Sequence, residues 1–444
     1  MPHGVVCSLV ALVLAAAMLA GCDPQMNVQS PPYGIVEGAV IYNESCDGTY
    51  STNEWNASPS DVKDRYPDVA GINSQMAVVV WQRFYGIDHQ EIRAQPMDAL
   101  GQPVGSEMGI VTGATVRASA PAVAAGADQQ GSRVAFVWVD EGASPDDIAG
   151  SLYFWNAIQQ QLVYYTDLVL PTSSGQPRLE PDVALLYDTP NLAVVWKEPG
   201  NSQLSCAIHL ALCNTSGVCQ SHMVVGLSPT NTCHEPTVAG FRTTGHEDEL
   251  VVAWNVDDAS TNTHAVHYRR LRTDGTFLDA NPVQVNTSTA APSNARSALA
   301  VLGDDTFIVA WTGNPLSGTG TDIWVRHIVP GGGSPFEIVV NTIQAGSQQD
   351  TAAAPYASGS KFVVAWRGPT PGSSQLDDIY YRRFAYAAGS VTALDNQDVM
   401  ANQVTANLQD LATGDMMMCD AFVLAWRSFG QAGTSQIRGR YPPP

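Results

Sequence analysis

Short apolar runs punctuate this chain, and each closes on a tryptophan: Met76-Ala77-Val78-Val79-Val80-Trp81, Leu250-Val251-Val252-Ala253-Trp254 and Phe362-Val363-Val364-Ala365-Trp366. Seven such tryptophans, Trp81, Trp138, Trp196, Trp254, Trp311, Trp366 and Trp426, stand 57, 58, 58, 57, 55 and 60 residues apart. A near-constant period of this size marks a repeat. The strand-type runs make each unit a β-rich module of about the size of one propeller blade. Three more segments recur around every Trp strand. A short strand precedes it, as in Pro67-Asp68-Val69-Ala70, Pro121-Ala122-Val123-Ala124, Pro181-Asp182-Val183-Ala184 and Pro236-Thr237-Val238-Ala239, with weaker versions at Ser297, Pro355 and Gln409. A variable Gly/Ser/Asp loop then leads to a third strand, seen at Glu91-Ile92-Arg93-Ala94, Asp322-Ile323-Trp324-Val325 and Asp378-Ile379-Tyr380-Tyr381. A turn such as Thr273-Asp274-Gly275-Thr276 introduces the fourth, for example Glu337-Ile338-Val339-Val340-Asn341.

Four antiparallel strands repeated seven times predict an all-β chain folded as a seven-bladed β-propeller. A radial ring pairs every blade with two neighbours and leaves only short edges. The alanine ending the first strand suits the narrow inner rim, and the tryptophans suit the wider space between blades. The last repeat stops at its third strand, Gln436-Ile437-Arg438-Gly439-Arg440-Tyr441, with Pro442-Pro443-Pro444 beyond. Gly38-Ala39-Val40-Ile41-Tyr42-Asn43 has the fourth-strand pattern and no blade before it. An N-terminal strand near residues 35–44 is therefore expected to close the last blade, within a propeller spanning 33–444.

Ahead of the repeats, Val5 to Ala20 is almost wholly apolar and runs into Leu19-Ala20-Gly21-Cys22. That length suits a secretory h-region better than a membrane span, and the small residues before Cys22 admit a peptidase. The segment resembles a lipoprotein signal over residues 1–21, which implies lipid on Cys22, a tether over 22–32 and an address in the bacterial cell envelope, periplasmic or surface-exposed. It departs from the pattern in having no Lys or Arg in Met1-Pro2-His3-Gly4, and an ordinary cleaved signal is the competing reading. Several acyl chains, each contributing about 0.8 kcal/mol per buried CH₂, give stable anchoring where one is marginal.

Cys46, Cys206, Cys213, Cys219, Cys233 and Cys419 form an even set that suits an oxidising compartment. Cys213 and Cys219 flank the turn-rich Asn214-Thr215-Ser216-Gly217-Val218 and can face each other across a hairpin. Cys206 and Cys233 fall in loops on one face of the ring and can meet. Elimination pairs Cys46 with Cys419, yet the strand order sets these at opposite ends of blade seven, about 20 Å apart at 3.3 Å per strand residue. A thiol-zinc reading of the four middle cysteines lacks a C-x-x-C knuckle, and no metal is expected there.

The chain carries 42 Asp and Glu against 21 Lys and Arg, a formal charge of -21. Nucleic acid is consequently excluded as an expected partner, because phosphate binding depends on a basic surface. No G-x-S-x-G elbow, H-E-x-x-H helix, P-loop or D-x-D-x-D-G loop occurs, and no cofactor is expected beyond structural calcium on acidic loops. His264 and His267 point to opposite faces of a strand and cannot share a metal. His246 and His234 read as loop residues. Arg93, Arg269, Arg270, Arg326, Arg382, Arg383, Arg438 and Arg440 recur on the third strand, away from the channel. Recurrence makes them part of the repeat, with paired or solvated heads, in preference to a substrate clamp.

Pro236-Thr237-Val238-Ala239, Phe362-Val363-Val364-Ala365-Trp366, Asp378-Ile379-Tyr380-Tyr381-Arg382-Arg383-Phe384 and Val340-Asn341-Thr342 together resemble the repeats of exported bacterial lipoproteins of deltaproteobacterial type. The likeness covers about residues 33–441. It implies a propeller in the envelope and no particular activity, since such repeats serve as scaffolds. The expected function is a monomeric, membrane-anchored binding or scaffolding module whose blade loops, such as 313–321 and 368–376, recognise a protein or glycan. The alternative is a polysaccharide hydrolase or lyase using carboxylates near the channel, among them Asp68, Asp182 and Asp410.

Overall fold

The computed structural model describes residues 53–442, apart from short segments between strands, the longest of them 288–296. Cys22, Cys46, Cys419 and the signal and tether segments lie outside the described residues. What is described is all strand and turn, arranged as seven antiparallel sheets. Blade one runs outward through Asp64–Gly71, Met76–Gly86, His89–Asp98 and Met108–Val111. Blades two to six repeat that order, and blades five and six each add one further short strand. The protein is a seven-bladed β-propeller of four-stranded blades.

All seven periodic tryptophans stand in second strands, and none is more than 8% exposed. Their packing explains the period. Trp366 of blade six shares a core with Ala300, Ile308, Ala310 and Ile323 of blade five, and Trp426 of blade seven packs with Val363 and Ala365 of blade six. Each indole thus fills the gap between its own blade and the one before. The residue directly across the ladder often lies flat on it: His209 on Trp196, His267 on Trp254 and Tyr380 on Trp366.

Inner strands begin about three residues earlier than the prolines suggest. Six of them carry a β-bulge whose first residue is left-handed: Tyr66, Ala120, Glu180, Glu235, Asp350 and Leu411, with φ from 46° to 54°. The matching position of blade five is 296, outside the described residues. Four of the six precede Pro67, Pro121, Pro181 or Pro236. Proline cannot donate to a ladder and is tolerated at a bulge, so the P-x-V-A motif marks where the inner strand is kinked.

The V-N-T motif has an equally local cause. Asn286, Asn341 and Asn402 each accept, through Oδ1, the amide of a third-strand residue, Val266, Ile323 and Ile379, at 2.8, 2.7 and 2.7 Å. The turn that follows is capped by an acid of the next blade: Glu337 accepts from Thr287 N, Asp398 from Thr342 N and Glu54 from Gln403 N. Glu54 thereby stands where Glu337 and Asp398 stand in their own blades. The strand after it, Trp55–Asn56, takes the fourth place in blade seven by pairing with Gly439 and Arg438.

A strand from the N-terminal side therefore does close the ring among the described residues, but it is Trp55–Asn56, further along than the expected 35–44, which lie outside them. Its polar setting, Asn53-Glu54-Trp55-Asn56, has no strand alternation to announce it. Space for the indole comes from two glycines. A Cβ on Gly439 would lie 2.1 Å from the Trp55 ring and one on Gly101, whose φ is 74°, 2.2 Å from it.

In blade three Cys206 is bonded to Cys233, with Cα atoms 5.6 Å apart, and Cys213 to Cys219. The first bond ties the third strand of blade three to the inner strand of blade four.

Candidate functional site

The inner strands of all seven blades enclose a channel with a cavity of about 370 Å³. Its walls include Tyr66, Asp68, Glu180, Asp182, Glu235 and Asp415. Asp68 and Asp182 occupy the same register position, opposite the residue that precedes the tryptophan. Neither carboxylate is held out to a ligand. Asp68 Oδ2 accepts the amide of Val123 in blade two at 2.8 Å, and its Oδ1 accepts the Thr413 hydroxyl of blade seven at 2.6 Å. Asp182 Oδ2 accepts Val238 N of blade four at 2.8 Å, and Asp415 Oδ2 accepts Gly71 N of blade one at 2.9 Å. Glu180 accepts both Glu235 N and Lys197 Nζ. These four carboxylates, Asp68, Glu180, Asp182 and Asp415, are staples between neighbouring blades, and Asp68 joins three blades.

Burial drives the Asp68 carboxyl up to about 7, with the charge of Asp182 adding to the effect against the hydrogen bond from Thr413. Asp410 does not belong to this set: it forms a two-point ion pair with Arg427, whose Nε lies 2.7 Å away. That pair is itself a repeat feature. Arg83 meets Asp64 at 2.9 Å, Lys197 meets Glu180 at 2.6 Å and Arg367 meets Asp350 at 3.2 Å, each joining a residue just beyond the tryptophan to the start of the inner strand.

The third-strand arginines staple blades from the outside. Arg269, Arg326, Arg382 and Arg440 share one register position and donate to carbonyls of the preceding blade, those of Val225, Val285, Val340 and Ala401. Arg270 and Arg383 pair with Asp279 and Asp395 at 2.8 and 2.7 Å, Arg93 with Glu91 and Arg438 with Glu54. Their recurrence is structural, and their heads are paired. The histidines also separate: His264 lies 2.5 Å from Asp257, His267 stacks on Trp254, and His246 stays on the surface beside Glu249 at 3.0 Å.

One polar group breaks the repeat. At the position where Gln348 and Gln409 of blades six and seven accept the indole N–H of Trp366 and Trp426, blade three places Arg178, almost wholly buried. Its indole donates instead to Glu198 Oε1 at 3.1 Å, and Arg178 Nε contacts the same oxygen at 3.2 Å. Arg178 Nη1 also reaches Asp147 of blade two at 3.1 Å. Across the ladder His209 brings Nε2 to 3.4 Å from Glu198 Oε2, and the His222 ring lies 4.9 Å from that of His209. Burial pushes the His209 imidazole down even though Glu198 opposes the shift. Sequence reading passed over this group. Its members sit at 178, 198, 209 and 222 without a motif, and what sets them apart is their convergence on Glu198.

No family model matches the chain, and no curated protein does. Solved structures do. A protein of unknown function from Dyadobacter fermentans aligns with a TM-score of 0.53 at 9% identity, covering 88% of this chain and 98% of that one. The polysaccharide lyase Uly1 aligns with a TM-score of 0.51 at 9% identity over 94% and 95% of the two chains. The alpha-L-arabinanase of Penicillium chrysogenum gives 0.47 at 10% identity over 88% and 99%. At such identities the likeness of the first two is one of fold, and the fold it shows is the propeller described above.

Proposed function

We propose that this chain is an extracytoplasmic binding propeller, held to a bacterial envelope through lipid on Cys22, that recognises a glycan or protein on the face carrying the loops between second and third strands. One observation carries the reading: the channel carboxylates of Asp68, Glu180, Asp182 and Asp415 are spent on joining blades, while the loop face of blade one presents exposed rings and aliphatic groups. Tyr66 is 46% exposed, Tyr85 53% and Ile87 73%, and Tyr85 stacks on His89 with ring centres 4.4 Å apart. Flat aromatic surface of this kind supplies contact area at low entropic cost. The fold shared with a polysaccharide lyase is compatible with a glycan ligand and supports no reaction.

The test pairs a glycan and envelope-protein binding screen with a polysaccharide degradation assay. Binding without turnover, weakened by Tyr85→Ala, is the expected result. Turnover abolished by Asp68→Asn would overturn the reading in favour of the hydrolase or lyase. For the anchor, Cys22→Ser should move the protein from the membrane fraction to the soluble one.

A further inference from the structure

We propose that Glu198, His209 and His222 form a binding site for a zinc-class divalent metal ion in blade three, with a fourth position open to water or to an external ligand. The three side chains can each place one donor atom within 4.8 Å of the other two. Two imidazoles and one carboxylate are the donors that borderline ions such as Zn²⁺ select over calcium or magnesium, which prefer all-oxygen shells. Three protein ligands with an open fourth place is the arrangement of zinc sites that also hold a substrate or water.

The local geometry favours a metal over a simple ion pair. His209 Nε2 and Glu198 Oε2 face each other at 3.4 Å, too far for a good hydrogen bond and suited to two ligands of one ion. His209 is 6% exposed, so its contact with Glu198 is shielded from bulk water; its Nδ1 has no hydrogen-bond partner, a feature it shares with His267. Glu198 is oriented from behind: its other oxygen accepts from Trp196 Nε1 and Arg178 Nε, the kind of outer contact that fixes a metal-binding carboxylate. The Arg178 charge is shared with Asp147, so an incoming cation meets two carboxylates and one guanidinium.

Blade four provides an internal control. His267 has the same register as His209, stacks on its tryptophan in the same way and likewise leaves Nδ1 unpartnered, yet Val256 stands where blade three has Glu198. The repeat accounts for the stacked histidine. Blade one has an ion pair, Arg83 with Asp64, at the positions of Glu198 and Arg178 with the charges exchanged, so the repeat accounts for an ion pair there but not for His222 or for a carboxylate that faces an imidazole.

The experiment titrates Zn²⁺ and Co²⁺ into the metal-free full chain. One equivalent of Co²⁺ is expected to give a visible spectrum with imidazole ligation, displaced by Zn²⁺, and Zn²⁺ at about 100 times its Kd should raise the melting temperature by a few degrees. His222→Gln should weaken binding at least about 100-fold, while His267→Gln leaves it unchanged. Absence of saturable binding at one equivalent, or equal binding by His222→Gln, would overturn the proposal. Should His222→Gln melt lower without metal, the wild-type chain decides: Zn²⁺ should protect His222 from diethyl pyrocarbonate and leave His246 reactive, and equal modification of His222 with and without Zn²⁺ refutes the site.

Discussion

Acidic groups line the channel and also sit inside blade three, but the two regions use them differently. At the rim, Asp68 and Asp182 share a register position and each accepts an amide of the next blade. In blade three, Glu198 stands in the register of Asp140 of blade two, which accepts the amide of Gly142 in its own turn, but Glu198 gathers an arginine, an indole and a histidine around itself. A polar group that recurs in register is explained by the ring it helps to close. One that gathers partners no other blade supplies is not, and that difference is where chemistry beyond the scaffold is to be sought.

The comparison depends first on the repeat being held by its indoles. Trp366→Ala removes a fully buried side chain shared by blades five and six and should cost about 3 to 5 kcal/mol. Trp55→Ala should cost less, since the closing strand pairs through only two residues. Urea midpoints of both variants measure the difference, and an equal loss would give the closing strand the weight of a full blade.

The outer staples come next. Arg382 is buried and donates to the carbonyls of Val340 and Asp395. Arg382→Met keeps most of the stem and leaves those oxygens without the guanidinium, for an expected loss of about 2 kcal/mol. If Arg382 were a ligand clamp, its removal would instead spare stability and abolish binding in the screen.

How far these staples could be foreseen varied with their regularity. Seven tryptophans at one period gave the architecture, since an indole that fills the gap between blades must recur with the blade. The arginines were legible as repeat members for the same reason. The carboxylates were harder, because Asp68 and Asp182 mark only two of seven blades and their amide partners lie 55 and 56 residues away. Trp55–Asn56 was hidden by its brevity, and what identifies it is Glu54 capping Gln403 as Glu337 caps Thr287. The blade-three cluster was not legible at all: its members are drawn from two strands and the connections beside them, and nothing in their spacing sets them apart.

The rim staples should respond to pH. In the folded chain the Asp68 carboxyl titrates near 7, above its unfolded value of 3.8. The folded state therefore binds more protons than the unfolded state between those two pH values. Stability contributed by the protonated group is complete below pH 4 and is lost as pH rises towards 7, with a slope of no more than about 1.4 kcal/mol per pH unit. Asp68→Asn removes this dependence while retaining an acceptor for Val123 N. Melting curves of the two proteins from pH 4 to pH 8 should diverge most near neutrality, with the wild type the more pH-sensitive. Parallel curves would mean that Asp68 stays ionised throughout.

The smallest effect concerns the bulge residues around the channel mouth. Tyr66 adopts φ 47° and is followed by a proline, a conformation in which a Cβ costs about 1 to 2 kcal/mol. Replacement by Ala keeps that cost and removes the ring, whereas replacement by Gly removes both at an entropic penalty of about 0.5 to 1 kcal/mol. Tyr66→Gly should therefore be more stable than Tyr66→Ala by up to about 1 kcal/mol, the reverse of the order found in an ordinary strand. The same pair of substitutions at Leu411, and Ala120→Gly compared with the wild type, separate backbone strain from any role of the exposed Tyr66 ring. If Ala and Gly rank in the ordinary order at all these positions, the left-handed bulge is not strained, and the P-x-V-A motif must owe its recurrence to the proline alone.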